Sequence, residues 1–269
     1  MTSAPFALEP ARRAPGPQDL FILLRGDRLV WRADALEPFW PASKVDPAYW
    51  PQAVAVGRWR EQALYVLNWP ADQELPQALS ISLRRWLPDA DPLHWQAVGA
   101  AVQRLHWQRD HAWCGRCGGA TQPHPHEYAL YCAACDHRWF PRIAPCVIVA
   151  IERPGDILLA RAHHYPLGFY SLIAGFVEPG ESVEQAVVRE VFEETGLQVV
   201  DLTYQGSEPW PFPHQLMLGF RARALPGELR VQADELAELA WFPQQALPNV
   251  PGPYAIAGRL IRRVCEASA

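Results

Sequence analysis

The sequence predicts an α/β chain: a mixed sheet between helices in the C-terminal half, preceded by a β-rich N-terminal domain and a small cysteine-held ribbon. Three observations predict it. Short apolar runs broken by Gly, Pro and Asp fill residues 21–69. Two CxxC pairs, Cys114/Cys117 and Cys132/Cys135, come next. Beyond residue 141, strand-like runs alternate with one strongly capped helical segment after Ser182. The expected boundaries are 1–110, 111–140 and 141–269.

In order along the chain, residues 1–18 are rich in Pro, Ala and Arg and read as a loosely held lead-in. Residues 21–24 and 29–31 are apolar runs around Gly26-Asp27, a hairpin signal. Residues 53–59 and 63–69 read as further strands, and residues 76–87 and 92–107 as helices. In the second helix Trp95, Val98, Val102 and Leu105 recur at helical spacing, so they are core residues. Residues 146–151 and 156–160 read as strands turning at Pro154-Gly155. Residues 199–204 and 216–222 are strands again, and residues 255–264 a terminal helix. Between those two strands, residues 207–213 hold too many prolines for a central strand. With two aromatics, that stretch suits either a loop plug or a wall for a planar ligand.

Composition narrows the function. Hydrophobic residues make up 49% of the 269, with twelve tryptophans, enough for a sizeable core. No apolar run approaches the roughly 20 residues of a membrane span, and a signal-peptide core is lacking at the N-terminus. A net charge of -5 argues against broad, charge-driven nucleic-acid binding but leaves room for a local basic groove. Six cysteines in such a chain point to a reducing compartment, the cytoplasm, and to metal binding instead of disulfides.

Fourteen residues separate the two CxxC pairs. Each CxxC turn presents two thiolates to one ion, and two turns complete a tetrahedral shell. That is a closed, structural Zn²⁺ site; a pair of redox dithiols is the weaker reading. Cys146 opens an apolar run and reads as a buried thiol. His124 and His126 lie between prolines in the ribbon's middle loop and read as surface residues.

The chemistry concentrates in residues 175–197, GFVEPGESVEQAVVREVFEETGL. Glu190, Glu193 and Glu194 at i, i+3 and i+4 share one helical face, and like charges at that spacing repel unless a cation neutralises them. Carboxylate oxygens suit Mg²⁺ or Mn²⁺. Ser182 with Gln185 forms a capping box, Gly196 a left-handed C-cap, and Arg189 can reach back to Glu181. A plain amphipathic helix would explain the charges but not the ordered set of glycines, arginine and glutamates.

That set resembles the Nudix box, G-x5-E-x7-R-E-U-x-E-E-x-G-U (U an aliphatic residue), with every fixed position filled by Gly175, Glu181, Arg189, Glu190, Glu193, Glu194 and Gly196, and with Val191 and Leu197 aliphatic. The resemblance implies a Nudix fold and metal-dependent hydrolysis of a nucleoside diphosphate linked to another group. Together with the ribbon and the N-terminal domain, the chain is similar to the NADH pyrophosphatase family. That family's motif S-Q-P-W-P-F-P-x-S stands here as Ser207-Glu208-Pro209-Trp210-Pro211-Phe212-Pro213-His214-Gln215.

The resemblance implies hydrolysis of the pyrophosphate of NAD(H) to nicotinamide mononucleotide and AMP, and in some members removal of NAD caps from RNA. It implies catalytic ion ligands at the Ala174 carbonyl, Glu190, Glu194 and Glu238, and a ring of Phe176 stacked on nicotinamide. It puts Arg84, Glu127, Phe140, the 208–215 segment and Ala257 at substrate-contact positions, in a homodimer. Glu194 is the expected base and Glu193 its reserve. Phe140 departs from the family's tyrosine, Glu208 from its glutamine and Gln215 from its serine. An unopposed carboxylate at 208, about 4–6 Å from a dinucleotide's phosphates, would cost roughly 1 kcal/mol. Glu208→Gln is therefore expected to lower KM unless Glu208 pairs with an arginine, binds an ion, or bonds a ribose or carboxamide. A non-catalytic nucleotide-sensing or RNA-contacting module is the alternative, as is a hydrolase for another dinucleotide. AMP release from NADH separates enzyme from module.

Overall fold

The computed structural model describes residues 5–8 and 13–266, which fall into two compact units. The first holds the described residues up to Arg142 together with Pro211–His214; the second holds Ile143–Trp210 and the chain from Gln215 onward.

The first unit is built on β1 (Phe6–Ala7), β2 (Leu20–Arg25), β3 (Arg28–Arg32), β4 (Trp40–Pro41), β5 (Val54–Trp59), β6 (Gln62–Asn68) and β7 (Ala78–Ser82). Their sheet runs β1-β5-β6-β2-β3-β7, with β4 alongside β2, and β2 parallel to β6. Strand alternation puts Leu20, Ile22 and Leu24 in one core and Phe21 and Leu23 in another. The expected hairpin is present, with Arg25 opposite Arg28 and Gly26 at φ 60. Helix α1 (Leu83–Trp86) is one turn long, and α2 (Pro92–Asp110) is capped by the Asp91 carboxylate. Its Val98 and Val102 are buried, with Trp95 and Leu105 packed against the same core.

Two expectations fail here. Residues 76–87 are not one helix: residues 78–82 pair antiparallel with β3, and the chain turns only from residue 83, as α1 and then a 3-10 turn at Leu87–Asp89. Leu79 and Ile81 alternate with serines, a period of two that an open sheet edge captured. The lead-in falls partly on residues 1–4 and 9–12, outside the described residues. Where described it is tied down: Phe6 is buried and pairs with Trp59, and Arg13 makes a two-pronged bond to Asp19.

The ribbon is a three-stranded sheet of β8 (Gln122–Pro123), β9 (Leu130–Cys132) and β10 (His137–Trp139). His126 is exposed as expected. His124 is half-buried, because its Nδ1 accepts the backbone N–H groups of His126 and Glu127 and so organises the turn.

The second unit comprises β11 (Ala144–Arg153), β12 (Asp156–Ala162), β13 (Ile173–Phe176), α3 (Val183–Thr195), β14 (Val199–Trp210), β15 (Gln215–Ala224), β16 (Leu236–Pro243) and α4 (Ile256–Glu266). Strand order is β14-β15-β11-β12-β16 with β13 beside β11, and β11 is parallel to β15, so the sheet is mixed. Val147, Val149 and Ile151 pack under α3 through Val187 and Val191. Cys146, Ile148 and Ala150 face the other way, toward Ile256, Leu260 and Ile261 of α4. A mixed sheet between helices is thus the observed arrangement. The proline-rich stretch is no loop at its start: β14 continues through Pro209 to Trp210. It can do so because β14 is the edge strand, where a missing N–H leaves no ladder partner unpaired.

Candidate active site

The box folds as strand β13, a loop and helix α3. The Ser182 hydroxyl accepts Gln185 N–H at 3.2 Å while the Gln185 side chain accepts Ser182 N–H at 2.7 Å, and Gly196 closes the helix at φ 73. Arg189 is the hub. It donates to both oxygens of Glu181 (2.7 and 2.9 Å), to Glu190 and Glu193 (2.9 Å each) and to the Phe176 carbonyl (2.8 Å). Glu181 in turn accepts Glu178 N–H at 3.1 Å, which braces the loop. One guanidinium therefore ties the entering strand, the loop and the helix together.

Gly175 explains itself through Glu190. A Cβ there would lie 1.9 Å from the Glu190 carboxyl carbon, so only a glycine lets that carboxylate rest on β13. Glu194 is 4% exposed, and among the described residues no donor reaches its carboxylate. Burial, then the charges of Glu190, Glu235 and Glu193, push it up to about 8. Burial also raises Glu190, against Arg189. Glu193 is half exposed. A buried, unpaired carboxylate among like charges is the environment that a divalent cation resolves, so these residues fit one.

Glu238 stands apart from this group. Its carboxylate accepts Arg161 at 2.7 Å and the Tyr170 hydroxyl. Glu235, three residues earlier, is the carboxylate whose charge acts on both Glu190 and Glu194. Residues 234–239 hold both glutamates, Glu235 just before β16 and Glu238 within it, and spacing alone does not choose between them. Phe176 is 47% exposed at the end of β13, and Ala174 pairs with Ile148 one residue before Gly175.

Glu208 follows the arginine-paired alternative, so its charge is not unopposed. It accepts Ile256 N–H at 2.7 Å and Arg259 at 3.0 Å, so the penalty toward a polyanion is removed and Glu208→Gln loses its reason to lower KM. Ala257, the next residue of α4, is buried.

In the first unit, Pro211 lies against Gly99, and the Phe212 ring receives the Arg84 guanidinium at 4.1 Å and stands 6.0 Å from the Trp95 ring. Pro213 follows a cis bond; burial, then Arg142, lowers the His214 pKa. Glu127 pairs with Arg138 at 3.0 Å, and Phe140 is 60% exposed. Pro209 and Trp210 end β14 and Gln215 opens β15.

The four ribbon sulfurs lie within 4.8 Å of one another, Cys114–Cys135 at 3.6 Å and Cys117–Cys132 at 3.5 Å. Burial pushes the Cys114 thiol up, but the N–H groups of Cys117 and Arg116 outweigh it and bring it to about 7; burial and its neighbours push Cys135 up to about 12. Four converging thiols fit a tetrahedral thiolate shell. Cys146 is a buried thiol as expected, pushed up to about 12 by burial.

A model of the NUDIX domain matches residues 141–263, and one of the NADH pyrophosphatase zinc ribbon domain matches residues 109–140. The NAD-capped RNA hydrolase NudC of Pseudomonas aeruginosa is 43% identical over 206 residues, 77% of this chain and 74% of that protein. The NAD-capped RNA hydrolase NudC of Pectobacterium carotovorum is 37% identical over 247 residues, 88% of this chain and 93% of that one. A crystal structure of a NUDIX hydrolase from Nitrosomonas europaea is similar at 22% identity and TM-score 0.47, covering 57% of this chain and 90% of that one. With its box, its four-cysteine ribbon and these relatives, the chain belongs to the NADH pyrophosphatase family of Nudix hydrolases.

Proposed function

We propose that this hydrolase splits the pyrophosphate of NAD(H) with water into nicotinamide mononucleotide and AMP, and that the same cleavage of NAD-capped RNA releases nicotinamide mononucleotide and leaves a 5′-monophosphate end. The observation that carries the reading is the buried, unpartnered Glu194 beside Glu190, the latter held by Arg189 against Gly175. The Ala174 carbonyl, Glu190, Glu194 and Glu235 would hold Mg²⁺ or Mn²⁺, Glu235 displacing Glu238 from the expected set because Arg161 and Tyr170 occupy the latter. A divalent cation there supplies polarisation of a phosphoryl oxygen and acidification of a bound water.

The chain's own groups do the rest. Glu194 takes the proton of the attacking water, its burial keeping it basic enough to do so. Arg189 is spent on Glu181, Glu190 and Glu193, so it orients carboxylates and does not bind phosphate. The half-exposed Phe176 ring offers a stacking face for nicotinamide. The ribbon's thiolates would hold a structural Zn²⁺. The remaining assignments are substrate-contact roles for Arg84, Glu127, Phe140, residues 209–215 and Ala257, in a cytoplasmic homodimer; Glu208, bonded to α4, leaves that set. Six free cysteines support a reducing compartment, and among the described residues no helix is long and apolar enough to cross a membrane.

The test is a side-by-side assay of AMP release from NADH and NAD⁺ and of cap release from NAD-capped RNA, each in Mg²⁺ and in Mn²⁺. No cleavage of any of the three would sink the proposal.

A further inference from the structure

Position 208 carries a carboxylate where the family motif has an amide, and the structure shows what that carboxylate holds. Glu208 lies in edge strand β14 opposite Met217 of β15, with its side chain mostly covered. One oxygen accepts Ile256 N–H at 2.7 Å, the first backbone donor of α4; the other accepts Arg259, one turn on, at 3.0 Å. Arg259 also donates to the Pro253 carbonyl at 3.2 Å, which draws in the loop ahead of the helix. A third strut, Arg263 to the Gln205 carbonyl at 2.7 Å, joins the same two elements further along. Beneath, α4 sits so close that a Cβ on Gly219 would come within 2.9 Å of the Ile256 side chain.

The chemistry requires a carboxylate. Two donors approach, one on each oxygen, one of them charged, at the positive end of a helix. A glutamine has one acceptor oxygen; its amide N–H groups would face either the Ile256 N–H or the guanidinium, donor against donor. The family's residue at 208 therefore cannot make this joint.

We propose that Glu208 is a positioning residue: its carboxylate pins the first turn of α4, and Ala257 with it, to the end of β14 that carries Pro209 and Trp210. The functional half of this rests on the reading above, in which those residues line the dinucleotide site. Substrate then meets a wall set by Glu208 and makes no contact with Glu208 itself.

The experiment uses the full chain with Glu208→Gln, Arg259→Met and the double variant, each measured two ways. NADH kinetics in Mn²⁺ should show KM raised about 3- to 10-fold in each single variant with kcat within about 2-fold. The double variant should be no worse than either single, since both remove one joint. Hydrogen exchange should accelerate at the Ile256 amide in all three. A KM that falls or stays level in Glu208→Gln, or single effects that add in the double, overturns the positioning role. If the wild-type chain releases no AMP from NADH, the substrate reading falls, and exchange alone decides the pin: unchanged protection of Ile256 overturns it, and equal acceleration in single and double variants supports it.

Discussion

At the scale of the residue, Glu194 concentrates the argument. Replacing its carboxylate with an amide of nearly equal volume removes the proposed ion ligand and base, so Glu194→Gln should keep the fold and lose at least about 10²-fold in kcat. Circular dichroism and AMP release check both halves. Its pKa makes a second prediction. Burial raises it from 4.5 to about 8 in the ion-free chain, so the acid form is the one the fold favours. Stability from this group is full below about 4.5 and is lost as pH rises through about 8. Ion-free protein should melt lower at pH 8.5 than at pH 5.5 by this contribution, and Mg²⁺ should raise Tm more at pH 8.5, where the carboxylate is already ionised. Glu194→Gln should abolish the difference; a Mg²⁺ effect independent of pH would refute the argument. Glu235 and Glu238 are separated by the same logic. Glu235→Gln should weaken the activating Mg²⁺ constant, while Glu238→Gln, which breaks an Arg161 pair, should lower Tm and leave that constant in place.

At the scale of the element, α3 works because both of its ends and one face are specified. Gly196 sits at φ 73, and a Cβ would also meet the Arg230 side chain at 3.1 Å, so Gly196→Ala should cost about 1–2 kcal/mol of unfolding free energy. Gly175→Ala is different in kind. The new methyl would collide with the Glu190 carboxylate, so this carboxylate or β13 must shift. Overpacking of about 1–3 kcal/mol is expected, with activity down about 10²-fold because the proposed ligand Glu190 is displaced by about an ångström. Urea titration and kinetics together distinguish the two glycines: the first should lose stability with little change in kcat, the second should lose both.

At the scale of the whole molecule, the ribbon belongs to the first unit and contributes little apolar core of its own; Cys114, Ala129, Leu130 and Cys132 are its buried members. A four-thiolate Zn²⁺ site supplies folding energy that such a module lacks. Cys132→Ser should lower solubility and Tm, and gently purified wild-type protein should carry about one zinc per chain by metal analysis. Zinc-free protein with an unchanged Tm would contradict this. The second unit, with cores on both faces of its sheet, should keep its own unfolding transition when the ribbon is damaged.

What could be read from the chain alone was whatever depends on short spacing. The box, its capping pair, the Arg189–Glu181 brace, the CxxC turns and the strand-helix alternation are all local, because residues within a turn or a hairpin meet whatever the rest of the chain does. Tertiary structure decided the rest. Residues 78–82 became a strand because β3 offered an unpaired edge, and Pro209 could stay in β14 because that strand has only one neighbour. That the charge of Glu235 reaches Glu190 and Glu194 while Glu238 pairs with Arg161, and that Glu208 is joined to α4, appears only when strands distant in sequence have been brought together. Local spacing sets which groups can act as a unit; which charge finds which partner is a property of long-range packing, and no periodicity encodes it.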